Sequence, residues 1–459
     1  RFNRSTVIKS ANGKKITIRG PPESMTFSDY FQQSPTGDTA FSVEAPKIKL
    51  GRGCLAEIGD DALALGMRRV ALYVDPRVAK LKPAAIAVET LKKAGVDFAI
   101  FDEIEVEPTD RSFKAGTDFA RKGDFDGFVS LGGGSTIDTA KASNLYTTHP
   151  ADFLAYVNAP IGEGRPVPGA LKPHIACPTT FGTASECTGI AIFDLLEMEA
   201  KTGIAHAALR PSLGVLDPNS LVTLPADIVA ANAFDVFSHA VESLTARPYT
   251  QRPAPANPSA RPLSQGANPY SDIACTEAIR VTGENIIAGV KNPSEIDAME
   301  QLMFAGMLAG IGFGNAGCHV PHGMSYAVAG LVRDYRAAGW QSNHPMVPHG
   351  ISVIVNAPAV FRFMSDACPD RHLKAAEAFG ADISGAATED GGEILAARVV
   401  ELMRACDMPN GLMGVGYSEE DLPALVEKSF PQRRLMENGP KDFDRSELED
   451  MFRNSMRYW

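Results

Sequence analysis

Between about residues 47 and 221, short runs rich in β-branched and aromatic residues alternate with stretches of helical periodicity. Residues 70–74, 98–101, 127–131 and 174–177 read as strands, and 83–94 as a helix. Strands separated by helices predict a parallel sheet, because parallel neighbours need crossover connections. After Leu224 the pattern becomes long helical stretches over 226–245, 272–287, 294–310, 372–379 and 392–406. The expected fold is therefore an α/β dinucleotide-binding domain with a parallel sheet over 46–222, followed by an all-helical metal-binding domain over 223–459.

Residues 1–45 form a separate arm. The β-rich runs 5–10 and 14–19 flank Asn12-Gly13, the usual signal for a tight hairpin turn. The same stretch holds Arg1, Arg4, Lys9, Lys14, Lys15 and Arg19 with no acidic residue before Glu23, which also fits part of a transit peptide. The hairpin is the preferred reading, and such an arm packed across a neighbouring subunit would make a homo-oligomer. Between the second-half helices, Pro248, Pro253, Pro255, Pro258 and Pro262 exclude a regular helix over 247–268. A loop of that length is expected to be a lid or binding loop, or else a linker.

Composition narrows the chemistry. The 459 residues are 44% hydrophobic and 22% charged, the balance of an ordinary globular protein. A net charge of -11 argues against a general nucleic-acid or anionic-membrane surface and favours small-molecule chemistry. No uninterrupted apolar run approaches the roughly 18 to 20 residues of a membrane span. Seven cysteines without a C-x-x-C pair fit reduced thiols, and hence a cytoplasmic location, with the mitochondrial matrix as the alternative.

Two constellations carry chemistry. The strand at 127–131 runs directly into Gly132, Gly133, Gly134 and Ser135, and a helical stretch with Asp138 follows. A strand, a glycine turn and a helix N-terminus together cradle a pyrophosphate, although glycines also serve such turns for conformational reasons alone. Asp75 ends an early strand, where it would hydrogen-bond a ribose and repel a 2′-phosphate, favouring NAD over NADP; it equally fits a turn cap. Thr179, Thr180 and Thr183 fall in a hydroxyl-rich turn after the 174–177 strand, as cleft lining or helix cap.

The second constellation is metal-like. Asp235 and His239 lie four apart on one helix face, and His319, His322, His344 and His349 follow in the same helical region. One carboxylate and three imidazoles hold a divalent ion and leave a position open to substrate. Spacing alone does not choose between His319 and His322.

Taken together, residues 132–141, 178–186, 235–242, 312–323 and 348–350 resemble, in order and separation, the iron-dependent alcohol dehydrogenase superfamily. The resemblance covers nearly everything from residue 46 onward. It implies Asp235, His239, His322 and His349 as ligands of Fe²⁺ or, alternatively, Zn²⁺, with NAD bound through Asp75, Gly132, Gly133, Gly134, Ser135, Asp138, Thr179, Thr180 and Thr183. Many members carry a further histidine four residues beyond the His322 position; this sequence has Tyr326 there, either a substrate-orienting or proton-relaying group or a buried hydrogen-bonded tyrosine. The 312–326 run and the insertion through Arg261, Pro262 and Ser264 most resemble the hydroxyacid-oxoacid transhydrogenases. That implies hydride passage between a hydroxy acid and an oxo acid through a retained nicotinamide. The alternatives are an ordinary NAD-dependent alcohol dehydrogenase, a lyase similar to dehydroquinate synthase, and a non-enzymatic binding module. Arg247, Arg252, Arg261 and Arg333 are candidate carboxylate partners and equally candidate surface charges.

Overall fold

The computed structural model describes residues 6–9, 15–18, 28–198, 200–340 and 344–459. Strands β1 (Thr6–Lys9) and β2 (Lys15–Ile18) pair antiparallel with Thr6 opposite Ile18, as the hairpin pattern predicts. The Asn12-Gly13 turn lies outside the described residues.

The first half is built on a wholly parallel sheet of β3 (Ile48–Leu50), β4 (Arg69–Val74), β5 (Asp97–Phe101), β6 (Gly127–Gly132), β7 (His174–Pro178) and β10 (Leu213–Leu216). The antiparallel pair β8 (Ile190–Leu195) and β9 (Ala200–Ala205), which the alternating pattern did not announce, stands apart from it. The strand order is β3-β10-β7-β6-β4-β5. Every residue of β6 is buried, as expected of a strand covered on both faces.

The two-residue period divides the sheet. Val70, Leu72 and Val74 pack with α1 (Ile58–Ala64) and α2 (Lys82–Lys93), while Ala71 and Tyr73 meet residues of α3 (Asp110–Lys122) and α4 (Gly134–Thr148). Because β4 sits between β5 and β6, the chain leaves β4 toward one edge and returns on its other side. Such a switch point opens a crevice at the carboxyl ends of the two strands, where open α/β sheets bind ligands.

The second half is helical. Its centre is α5 (Ala226–Thr245), buried from Val229 onward except at Asn232, and packed against α6 (Pro269–Lys291), α7 (Ile296–Ala316) and α9 (His349–Ile354), with α8 (Val320–Gly330) between α7 and α9 in the chain. Shorter helices continue to Asn454. Among the described residues only α7 is long and apolar enough to cross a membrane, and 56% of its most apolar window is buried inside the fold.

The proline-rich loop is strapped down rather than free. Its Thr250 and Arg252 carbonyls accept from the amides of Ser34 and Asp38, Arg261 forks onto both oxygens of Asp38 at 2.8 and 2.9 Å, and Gln265 bonds the Ser42 backbone. The chain after the hairpin is thereby bound to the helical half.

The two halves meet through glycines of α7. A Cβ on Gly306 would stand 2.3 Å from the carbonyl oxygen of Phe181, and one on Gly310 would stand 2.4 Å from Cβ of Ala184. Four apart, they form a groove that admits the turn after β7. Gly306→Ala is therefore expected to lower stability by about 1 to 3 kcal/mol, despite alanine's better helix propensity, because backbone must move. Urea unfolding measures this; unchanged stability would mean that the halves do not depend on that close approach.

Candidate functional site

Asp235, His239 and Glu242 recur on one face of α5 at spacings of four and three residues, and all three are buried. His322 enters from the first turn of α8 and His349 opens α9, each beside a proline whose fixed φ suits a helix start. α9 can lie against α5 because residue 350 is glycine: a Cβ there would come within 2.1 Å of the Ala231 carbonyl oxygen.

These elements bring ligand atoms of Asp235, His239, His322 and His349 within 4.8 Å of one another. Oδ1 of Asp235 lies 3.8 Å from Nδ1 of His239 and 3.6 Å from Nε2 of both His322 and His349. Donors held at about 2.1 Å around one tetrahedral ion stand about 3.4 Å apart, close to this spacing. Asp235 Oδ1, His239 Nδ1 and His322 Nε2 are buried with no hydrogen-bond partner. Three unsatisfied donor atoms converging in the interior fit a divalent cation, which an iron-type or zinc-type centre would supply.

Electrostatics agree with the geometry. Burial opposes ionisation of Asp235, but the surrounding imidazoles hold its carboxyl well below the usual range. Burial pushes His239 down to about 3, leaving the neutral ring a metal needs. Burial also works against charge on His322, yet the Glu242 and Asp235 carboxylates carry it up to about 9. Glu242 bonds His322 Nδ1 at 2.6 Å and accepts the His319 amide at 2.7 Å. This carboxylate-histidine pair leaves Nε2 of His322 facing the cluster and fixes its ring. The ring of His239 is stacked on Phe313 with centroids 4.1 Å apart.

His319 belongs elsewhere. Its Nδ1 accepts the Val320 amide and its Nε2 meets the Thr245 hydroxyl at 2.9 Å, so it is a satisfied core histidine.

On the sheet side, a cleft at the switch point is lined by Asp75, Gly133, Gly134, Ser135, Thr179, Thr180 and Thr183, and reaches Asp235 and His349. The glycine turn and the threonine turn form one wall: a Cβ on Gly134 would stand 2.5 Å from the Thr183 hydroxyl, and one on Gly133 would stand 3.2 Å from that of Thr180. Asp75 lines the cleft and also caps the turn that follows, accepting from the amides of Arg77 and Val78 and pairing with the Arg77 guanidinium at 3.1 Å. The turn-cap reading of Asp75 thus holds, with its carboxylate beside the cleft.

Two residues expected to contact the cofactor lie outside the lining of this cleft. Gly132 does not line the cleft; its carbonyl accepts the Thr179 amide at 3.0 Å, and a Cβ would fall 2.2 Å from the Thr136 hydroxyl, so it is a packing residue. Asp138 is also outside that cleft, because its oxygens are taken by the Ser185 hydroxyl and the Ile192 amide. With the fully buried Lys141, which bonds Ser185 and the Ile190 carbonyl at 2.7 Å each, it pins the threonine turn and β8 to α4.

A second cavity adjoins the histidines and is lined by His239, His322, Tyr326, Phe313, Ser264 and Arg434, among others. Glu107, Gly134, Ser135, Thr183 and His349 line both spaces, so the two join at the glycine turn. Glu107 has φ 54° and bonds buried Lys201 at 2.7 Å, while its amide meets the Ser135 hydroxyl at 3.3 Å. Lys201 holds the Glu107 carboxyl below its ordinary range against the effect of burial.

The sequence reading assigned no role to Glu242, Glu107, Lys201 or Arg434. Glu242 was legible, seven residues past Asp235 on the same helix face; the others come from distant segments and carry no spacing signal. Glu242→Gln is expected to weaken Fe²⁺ or Zn²⁺ affinity about 10- to 100-fold, read by competition with a chelating dye. Unchanged affinity would remove Glu242 from the metal centre.

Similarity to known proteins follows the same two halves. Residues 45–218 match the model of the iron-containing alcohol dehydrogenases, and residues 263–456 match the C-terminal model of the Fe-containing alcohol dehydrogenase family. The chain is 45% identical over 448 residues to the mitochondrial hydroxyacid-oxoacid transhydrogenase of Xenopus laevis, and 44% identical over 451 residues to that of Homo sapiens, covering 97% of each chain in both comparisons. Among solved structures, a 1,3-propanediol oxidoreductase superposes with a TM-score of 0.79 at 27% identity, covering 91% of this chain and 100% of that one. Sulfoacetaldehyde reductase from Bifidobacterium kashiwanohense, solved with NAD⁺, shares the fold with a TM-score of 0.74 at 22% identity over 91% of this chain and 99% of its own. With the sheet crevice inside the first matched region, and His322 and His349 inside the second, the chain belongs to the iron-containing alcohol dehydrogenase family and is an oxidoreductase.

Proposed function

We propose that this enzyme moves a hydride between a hydroxy acid and an oxo acid through NAD, as the name of its relatives describes for them. The observation that carries the reading is the junction at Gly134, Ser135, Thr183, Glu107 and His349, where the sheet crevice opens into the cavity beside the histidines. Near-complete alignment with the transhydrogenases supports the substrate class, and the lyase alternative finds no support in the family match. The names of those relatives favour the mitochondrial matrix over the cytoplasm. We divide the chain at residues 222–223 into the nucleotide-binding and metal-binding domains, with 1–45 as the arm.

When bound, the divalent ion supplies Lewis acidity toward the reacting oxygen, and NAD supplies the hydride acceptor. Asp235, His239, His322 and His349 hold the ion, Fe²⁺ by family and Zn²⁺ as the alternative that the same donors accept. Gly133, Gly134 and Ser135 give the pyrophosphate bare amides at the positive end of α4, with no side chain in the way. Asp75, already fixed by Arg77, offers a carboxylate to the ribose hydroxyls and repels a 2′-phosphate. Thr179, Thr180 and Thr183 add hydroxyl groups to the same wall.

The purified protein is expected to convert a 4-hydroxy acid and a 2-oxo acid together without added NAD; turnover that needs free NAD would instead make it an alcohol dehydrogenase. His322→Ala, or removal of metal by a chelator, should cut the rate by about a thousandfold or more, and full activity after metal removal would sink the mechanism. Asp75→Ala should weaken NAD binding by about tenfold and erode the preference over NADP, measured by nucleotide titration.

A further inference from the structure

An acid substrate needs a cation near the reacting centre, and the structure limits the choice. The four arginines singled out in the sequence are committed elsewhere. Arg247 pairs with Asp442, Arg261 with Asp38, Arg333 with Asp421, and Arg252 bonds Asn438 and the Ser264 carbonyl. None of them lines the cavity beside the histidines.

Among the described residues lining that cavity, Arg434 is the only lysine or arginine. The carboxylates there are already used, Asp138 by Ser185 and the Ile192 amide, and Glu107 by Lys201. Arg434 has no ion pair among the described residues, whereas its neighbour Arg433 pairs with Glu437 at 2.6 Å. Arg434 shares the cavity wall with Tyr326.

Tyr326 lies one helical turn beyond His322 on α8, so its side chain leaves the same face about 6 Å further along the axis. A ligand with one oxygen at the histidine cluster and a short carbon chain directed along α8 reaches Tyr326 and then Arg434. The cavity, about 130 Å³, suits a small molecule.

We propose that Arg434, which lines the cavity beside Tyr326, binds the carboxylate of the substrate and so selects acids over neutral alcohols. The proposal rests on the transhydrogenase reading and names the recognition residue of that site. A guanidinium presents two parallel N–H groups to a carboxylate, a geometry that lysine does not reproduce. Burial raises the pKa of Tyr326, so the phenol keeps its proton and has an O–H to donate toward the bound acid. One carboxylate site also serves both half-reactions, since the hydroxy acid and the oxo acid each carry that group.

The test measures kcat/KM of the metal-loaded enzyme for a straight-chain 4-hydroxy acid and for the corresponding 1,4-diol, which lacks only the carboxylate. Arg434→Gln is expected to lower the acid-to-diol ratio about 10- to 100-fold, chiefly through KM for the acid, and Arg434→Lys to restore only part of it. Tyr326→Phe should shift the ratio in the same direction by less. Arg433→Gln, next in the chain and paired elsewhere, should leave the ratio as it is. Calorimetric binding of the unreactive straight-chain monocarboxylate should weaken in parallel in Arg434→Gln. A wild-type enzyme that uses the acid, combined with an Arg434→Gln variant of unchanged ratio and carboxylate affinity, overturns this assignment and leaves the transhydrogenase reading intact. A wild-type enzyme that uses the diol but not the acid overturns both.

Discussion

A buried carboxylate oxygen with no hydrogen bond sets the terms for the whole helical half. Oδ1 of Asp235 is enclosed on α5 within 3.6 to 3.8 Å of three imidazole nitrogens, and two of those nitrogens are themselves unpartnered. A buried charge costs several kcal/mol unless it is paired. A cation at the centre satisfies all of these groups together. The requirement explains why the longest-buried helix carries polar residues at all, and why α8 and α9 both begin at this point. It also explains Glu242, whose carboxylate fixes the orientation of His322 from behind and holds the start of α8 through the His319 amide.

The cluster is useful only if the sheet crevice is held against it. That registration depends on small residues at close approaches rather than on large apolar contacts. Gly350 lets α9 lie against α5, Gly182 meets Asn232 at 2.8 Å through its amide, and Gly306 and Gly310 admit the turn after β7. The buried set of Lys141, Asp138 and Ser185 fixes the other side of the same turn. Hydride transfer needs reacting atoms within van der Waals distance, so a shift of about 1 Å at these contacts would be felt in the rate.

Much of this was readable from spacing. The strands at 70–74 and 127–131, the long helix at 226–245 and the paired Asp235 and His239 follow directly from periods of 2 and 3.6, and these are local properties of the chain. His319 and His322 differ only in tertiary surroundings, so spacing left both open; Thr245 and Glu242 decide between them. Asp138 and Gly132 stand in a related position. A motif shows that residues lie near a turn but not which way each one faces, and here one faces Ser185 and the other Thr136. The antiparallel β8 and β9 escaped notice because a short alternating strand between turns resembles an ordinary loop.

Glu107 shows how the junction itself is stabilised. A non-glycine residue at φ 54° costs about 1 to 2 kcal/mol and persists only where its surroundings over-determine it. Those surroundings are specific: Lys201 on β9 takes its carboxylate, and its amide meets Ser135 of the glycine turn. One residue thus ties the antiparallel pair to the nucleotide turn. A less strained residue with a shorter or uncharged side chain would relax the loop but release Lys201. The strain is therefore a consequence of joining a cofactor cleft to a metal centre through a backbone turn, and Lys201 is the counter-charge that makes the arrangement stable.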